Sequence, residues 1–328
     1  MPIPKVAIGL PVFNGEQHVR KALNSLLNQT YREFVVLISD NCSDDNTVEI
    51  CKQTIGVDPR FKIVEQRFNI GAVPNFNYVA RNTTSNYFKW MAADDTFHPT
   101  YLERCIEVMD CDQEVAWCHC RSDMIDDDGK SWLNRISVYD PLVEISADGK
   151  WWKGHPRQHY DSNVRVDRFG GVLLGTTWSV DSYGLIRRSA LNRTRLLEPI
   201  YGAEKVLMAE LSLYGKYYHI PDMLFSQRIH SQASGNLSDK KSRQVFIANQ
   251  KKIGSARLSL LKAHVYSVLR SDLSFLQKLK ALYVVSCYVM QFGKWIRVLR
   301  QMMGGDSVRG GGREMMERAE EYAEVQEQ

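Results

Sequence analysis

What this chain has little of narrows its class before any motif is read. Among its 328 residues, the uncharged stretch at 281–293 is thirteen residues long, short of the roughly twenty needed to span a bilayer. Met1-Pro2-Ile3-Pro4-Lys5 runs straight into an apolar stretch, without the basic region, apolar core and small-residue cleavage site of an export leader, so a cytosolic protein is expected. Paired C-x-x-C motifs are missing, and seven cysteines form no even framework, which fits a reducing compartment and argues against a zinc ribbon. Cys118-His119-Cys120 follows Val115-Ala116-Trp117. Period-two geometry sends the cysteines to one face and His119 to the other, which reads as a buried strand. No G-x-G-x-x-G follows the first apolar run, and neither a P-loop nor a nucleophile elbow occurs, which removes the common dehydrogenase, NTPase and hydrolase classes.

Acid is scarce in one place only. Residues 240–300 hold thirteen Lys and Arg against the single acid Asp272, residues 313–328 hold six Glu against two Arg, and the whole chain carries +4. The basic character therefore belongs to one segment, and residues 1–239 are mildly acidic.

The first 120 residues alternate strand-like runs (6–10, 34–39, 61–65, 87–91, 115–120) with helix-like ones, the pattern of βαβ units and a largely parallel sheet. Val19, Ala22, Leu23, Leu26 and Leu27 make a helical stripe. Asp45 or Thr47 can cap a second helix, and Pro74 and Pro99 open two more. Residues 122–180 lack periodicity and read as a loop-rich insertion, with a turn at Asp126-Asp127-Asp128-Gly129. Order returns at 183–187, 203–213, 217–220 and 224–228. The pattern from 239 to 303 is helical, ahead of a Gly-rich hinge and an acidic tail. The expected organisation is an α/β domain at 1–235 (halves 1–121 and 122–235), a basic helical extension at 236–303, and a flexible hinge with acidic tail at 304–328.

Three polar turns follow three of the strand-like runs: Pro11-Val12-Phe13-Asn14-Gly15-Glu16, Ser39-Asp40-Asn41 through Asp45-Asn46-Thr47, and Ala92-Ala93-Asp94-Asp95. Ligands of open α/β sheets sit outside the carboxyl ends of the strands, so the turns converge on one crevice suited to a nucleoside diphosphate and a divalent metal. Asp40 at a strand end can accept the ring N–H of a pyrimidine; alternatively Asp40, Ser43 and Asp45 build only a turn and a helix cap. Adjacent Asp94 and Asp95 repel unless a cation neutralises them, which points to Mg²⁺ or Mn²⁺. The plainer reading is a solvated loop.

Together these motifs resemble family 2 glycosyltransferases, inverting enzymes with the nucleotide-sugar-binding GT-A fold, over roughly residues 5–235. The resemblance implies an α/β fold with a mostly parallel central sheet flanked by helices, and a base and ribose pocket lined by Pro11, Val12, Asn14, Glu16, Asp40 and Asn69. It further implies that Asp94 serves as metal or ribose ligand with Asp95 as its partner. Ala92 stands where the family commonly has another acid, so the metal site is less over-determined. Gly202-Ala203-Glu204 resembles the segment where the family's catalytic base opens a helix. Glu204 is the expected base, and Glu210, about 120° further round, a surface or structural acid. Arg228-Ile229-His230 matches an Arg-x-His that reaches diphosphate oxygens or supplies a third metal ligand, His230.

Trp151, Trp152 and Trp178 are candidates for stacking on acceptor sugars or for plain core packing. The implied function is metal-dependent, inverting transfer from a nucleoside-diphosphate sugar, UDP-sugar favoured, to a glycan or lipid-linked acceptor. The competing readings are a nucleotidyltransferase and a non-catalytic nucleotide- or sugar-binding homologue. The basic segment suits either the surface of an anionic membrane or packing on the domain or on a second copy in a homodimer. No nucleic-acid partner is expected.

Overall fold

The computed structural model describes residues 3–131, 160–176, 180–229 and 256–290. In chain order its elements are β1 (Val6–Val12), α1 (Val19–Leu27), β2 (Phe34–Asp40), α2 (Thr47–Ile55), β3 (Phe61–Glu65), α3 (Ala72–Arg81), β4 (Tyr87–Trp90), β5 (Thr96–Phe97), α4 (Tyr101–Cys111), β6 (Val115–Ile125), α5 (Arg165–Gly175), β7 (Leu185–Arg187), α6 (Arg188–Leu191), α7 (Ala203–Ser212), β8 (Lys216–Arg228), α8 (Ala256–Arg270) and α9 (Phe275–Val289). A single 3₁₀ turn, Val180–Tyr183, precedes β7.

The strands form one sheet in the order β3-β2-β1-β4-β7-β6-β8-β5. The first four are parallel, and β6 and β8 are parallel to each other. β7 is antiparallel to both β4 and β6, and β5 caps the far edge antiparallel to β8. This is the mostly parallel α/β fold that the alternation of runs predicts.

Every residue of β1 is buried, as expected of a strand covered on both faces. Alternation sends Val6, Ile8 and Leu10 to one apolar layer, with α1, α2 and α4, and Ala7 to the other, with α3, α5 and α7. Gly9 is where α3 comes closest: a Cβ there would lie 2.4 Å from the Val79 side chain.

Several elements depart from the expectation. The region 122–180 contains a real helix, α5, whose Val166, Phe169, Gly170, Val172 and Leu173 are buried together with Arg168. Gly170, Gly171 and Gly175 within eleven residues lower its intrinsic helix propensity, so the stretch reads locally as loop. The two strand-like stretches after Lys216 are one strand, β8, whose register against β6 shifts around Arg121. β6 runs on to Ile125, and the described part of the basic extension, residues 256–290, forms α8 and α9 with a break at Ser271. Trp151, Trp152, Trp178, His230 and the tail 304–328 lie outside the described residues.

Candidate functional site

Parallel pairing of β1 with both β2 and β4 brings their carboxyl ends, Val12, Asp40 and Trp90, to one edge of the sheet. The turn after β1 and the turn after β2 are laced together. Asn14 donates from its backbone N–H to Ser43 Oγ (2.9 Å) and from its amide to Asp44 Oδ1 (2.6 Å). Gly15 N–H donates to Thr47 Oγ1 (2.7 Å), and Glu16 N–H to Asp45 Oδ2 (3.1 Å). The Glu16 carboxylate in return accepts from both nitrogens of Asn46. Asn14 and Cys42 take positive φ, 49° and 64°, a strain that persists where surrounding contacts over-determine it. Asp45 is held below the usual carboxylate range: burial opposes its ionisation, and hydrogen bonds from Thr47 and Glu16 outweigh it.

Asp40 is buried at the end of β2, where its carboxylate accepts from the hydroxyl and the N–H of Ser43 (2.5 and 3.0 Å). Asn41 donates to Asn69 Oδ1 (2.9 Å) and accepts from Ile70 N–H (2.9 Å), while Asn69 also accepts from Gly71 N–H (2.9 Å). The fold thus joins Asn69 to the β2 turn. Pro11 and Val12 are buried and Asn14 and Glu16 exposed, so of the expected pocket residues the last two face solvent.

The Asp94-Asp95 loop abuts this edge, since a Cβ on Gly15 would stand 3.7 Å from that of Ala93. The two carboxylates are used differently. Asp95 is 3% exposed and its Oδ1 accepts from Arg228 N–H (2.9 Å). Burial, then the charge of Asp94, pushes its carboxyl well above the ordinary range. Asp94 is only partly buried. Arg228 is buried, and its guanidinium donates to three backbone carbonyls, those of Asp94 (3.0 Å), Asp126 and Asp127 (2.8 Å). It therefore ties the acidic loop to the 126–129 turn, where Gly129 N–H closes on Asp126 O (3.0 Å). His18 from the other side lies 3.4 Å from Asp127 Oδ1.

Glu204 stands in the first turn of α7, after Gly202 at φ 83°. Burial raises its carboxyl, against the helix backbone and Lys205, while burial lowers Lys205. Tyr183, half-buried, senses both halves of the site: desolvation and then the negative charges of Glu204, Asp95 and Asp94 hold its phenolic proton well above the usual range. The expected base and the paired aspartates therefore lie within electrostatic reach of one side chain, although they are about a hundred residues apart in sequence.

Reading the sequence missed Tyr183, which looks there like an ordinary strand-edge tyrosine. It also missed Lys89, which is buried in β4 over the rings of Phe97 (4.2 Å) and Tyr101 (4.5 Å) and donates to Tyr101 Oη (3.1 Å) and the Tyr183 carbonyl. A lysine inside an apolar strand was the available signal. Burial lowers its ammonium to about 8. Cys118, His119 and Cys120 lie inside β6; Cys118 Sγ donates to Cys105 O (3.6 Å), and His119 Nδ1 is 3.1 Å from Tyr101 Oη. Glu210 is structural and buried: it meets Arg195 at 2.6 Å and accepts from Ser267. A cavity of about 590 Å³ lies elsewhere, beside Arg81, Arg188 and Arg195, and none of the expected site residues lines it.

Three kinds of relatedness agree with this geometry. The chain is 26% identical over 231 residues to the putative glycosyltransferase EpsH of Bacillus subtilis (strain 168), covering 70% of this chain and 57% of that protein. It is 22% identical over 250 residues to the chondroitin synthase of Pasteurella multocida (strain Pm70), covering 76% and 23%. The chain thus spans little more than half the length of the first of these and about a quarter of the second. The crystal structure of S. aureus TarS 1–349 superposes with a TM-score of 0.56 at 15% identity, covering 85% of this chain and 71% of that one, which bears on the fold alone. Residues 7–191, more than half of the chain, match the sequence pattern of the family described as Glycosyl transferase family 2, and the chain belongs to that family.

Proposed function

We propose that this chain transfers a sugar from a nucleoside-diphosphate donor, a UDP-sugar by preference, to a hydroxyl of a glycan or lipid-linked acceptor, with inversion at the anomeric carbon. The observation that carries the reading is that the Asp94-Asp95 loop abuts the sheet edge where β1 and β2 end, with Glu204, Asp94 and Asp95 all within electrostatic reach of Tyr183. It supports one crevice with an acid on the acceptor side and acids on the diphosphate side. S. aureus TarS has been solved with UDP and with UDP-GlcNAc, which supports the choice of donor base.

Glu204 takes the proton of the acceptor hydroxyl as its oxygen bonds the anomeric carbon. The bond from that carbon to the donor phosphate breaks, and the nucleoside diphosphate leaves with the electron pair. A base is most effective when its proton affinity lies near the working pH, and burial moves Glu204 that way. Asp40, Asn41 and Asn69 shape the floor beneath the base and ribose, and the braced Asn14–Thr47 contacts keep that floor rigid before the donor arrives.

A divalent cation fits the donor set. Among the described residues no three His, Cys, Asp or Glu side chains cluster to hold a metal. Mg²⁺ commonly takes only one or two carboxylates, with phosphate oxygens completing its shell. Asp94 would hold it, with Asp95 behind, whose proton affinity is raised first by burial and then by the charge of Asp94, the second of which a cation would relieve. Such an ion would neutralise charge on the departing diphosphate.

A thermal-shift panel of UDP, GDP and dTDP with and without Mn²⁺ tests the reading. Stabilisation by UDP plus metal, absent from Asp94→Asn, supports it, since a ligand at about 100 Kd adds about 2.7 kcal/mol. Equal response to all three nucleotides, or none, removes the donor proposal.

A further inference from the structure

The C-terminal hairpin of α8 and α9 is packed on one side and bare on the other. Ser274 starts α9 with a capping box to Gln277, which fixes the helix independently of the sequence beyond it. Ala281, Val285 and Tyr288 of α9 are buried, and Val284 comes within 3.4 Å of where a Cβ on Gly170 of α5 would stand. The opposite side carries Phe275 (75% exposed), Leu276 (69%), Leu279 (48%) and Tyr283 (70%). At about 100° per residue these four fall within a sector of about 100°. On α8, Leu258, Tyr266 and Leu269 are likewise exposed. Single exposed apolar residues are ordinary, but a contiguous stripe of large ones marks a binding face.

Charge identifies the occupant. Lys262, Arg270 and Lys280 are exposed on the same two helices. The single acid between residues 240 and 300, Asp272, is engaged by Arg165 and Arg193. The hairpin itself is therefore apolar with a positive margin, its one acid paired with two arginines. A second copy docked by a two-fold axis would set the same cations against themselves. An anionic bilayer surface satisfies both features, taking the aromatic and leucine side chains into its interfacial layer and the cations at its headgroups.

We propose that the outer face of α9, continued by α8, docks this protein on anionic lipid headgroups. No helix among the described residues is long and apolar enough to cross a membrane, so the contact is peripheral. The inference stands on the hairpin and not on the sugar-transfer reading. It deepens that reading by one contact: Leu260 of α8 lies 3.6 Å from where a Cβ on Gly202 would stand, at the start of the helix that bears Glu204. The membrane-facing hairpin thus adjoins the acceptor side, where a lipid-linked acceptor would enter.

Flotation of the full chain with phosphatidylcholine vesicles, with and without phosphatidylglycerol, is the test. The expected result is co-flotation only with the anionic vesicles, weakening as salt is raised. A Phe275→Ser, Leu276→Ser, Tyr283→Ser variant should lose at least tenfold in partitioning, with an unchanged melting temperature because all three side chains point outward. Lys262→Glu with Lys280→Glu should weaken binding to anionic vesicles and flatten its salt dependence. Absence of flotation by the parent, or equal flotation by both variants, overturns the proposal. So does a dimer in light scattering that the serine variant dissolves, or binding that emerges only after residues 304–328 are removed, which would assign the face to a second copy or to the acidic tail.

Discussion

The two glutamates of α7 sit six residues apart, and the fold treats them in opposite ways. Glu210 is a buried charge fully engaged: Arg195 reaches it through both its backbone N–H (2.8 Å) and its guanidinium (2.6 Å), Ser267 of α8 adds a third donor (2.9 Å), and Arg195 binds Ala263 O as well. Glu204 is half-buried at the start of the helix, and desolvation, opposed by the helix backbone and Lys205, dominates its titration. One carboxylate fixes how α6, α7 and α8 meet. The other is left with a proton affinity raised by desolvation, the perturbation expected of a group that does chemistry.

That contrast breaks most sharply under Glu204→Gln. If Glu204 is the base, turnover falls by about 10²–10⁴ while donor binding and fold persist; unchanged turnover with purified donor and acceptor removes the assignment. The sign of the stability change sharpens it further. A carboxyl whose folded-state proton affinity is raised contributes stability below its unfolded value near 4.5 and loses it as pH rises through the folded one. The glutamine variant should therefore melt no lower than the parent at neutral pH, and above it if the charge was a burden. The acid limb of the parent's rate profile should also inflect above 4.5.

Glu210→Ala should do the reverse. Removing one partner of a buried pair strands Arg195 and costs about 3–5 kcal/mol, read as a lowered urea midpoint. Any protein remaining folded should keep its chemistry. A variant that stays stable but inactive would exchange the roles assigned to the two residues.

Lys89 extends the comparison to β4. Its folded-state value near 8 lies below the unfolded 10.5, so between those values the unfolded chain holds the proton more tightly and stability rises with pH. Lys89→Met, close in length and uncharged, should abolish that rise. Chemical denaturation at pH 8 and again near 10.5 reads the difference, and parallel curves for parent and variant would mean that the ammonium is better solvated than its burial implies.

How much of this was legible follows the regularity of the backbone. Strands 6–10 and 34–39 announced themselves because parallel strands buried on both faces read as apolar runs, and the three turns were legible because each follows a strand-like run. Helix α5 was hidden because Gly170, Gly171 and Gly175 lower its helix propensity. Tyr183 was invisible for another reason: nothing local in the sequence tells that a tyrosine in a 3₁₀ turn will come within electrostatic reach of acids from α7 and from the loop after β4. Lys89 did leave a trace, a lysine inside an apolar run, but periodicity does not say that its ammonium stays buried. Glu210 was set apart from the expected base by its angle from Glu204, as a surface or structural acid; that it is structural follows from Arg195, whose place depends on how a loop returns, which periodicity does not encode.

The smallest effect tests how Glu204 is presented. Gly202 holds φ at 83°, a conformation that costs a residue with a Cβ about 1–2 kcal/mol. A methyl there would meet only Leu260 at 3.6 Å, an ordinary contact. Gly202→Ala therefore imposes a backbone cost without a clash, and its consequence depends on where the strain goes. If α7 is held firmly by the Glu210 anchor at its other end, melting falls by the few degrees that about 1 kcal/mol implies and turnover is kept. If the first turn yields instead, stability is nearly preserved and turnover drops with little change in donor affinity, because Glu204 alone has moved. The first outcome would show that the structural glutamate positions the reactive one along the length of a ten-residue helix; the second would confine that influence to the helix interior.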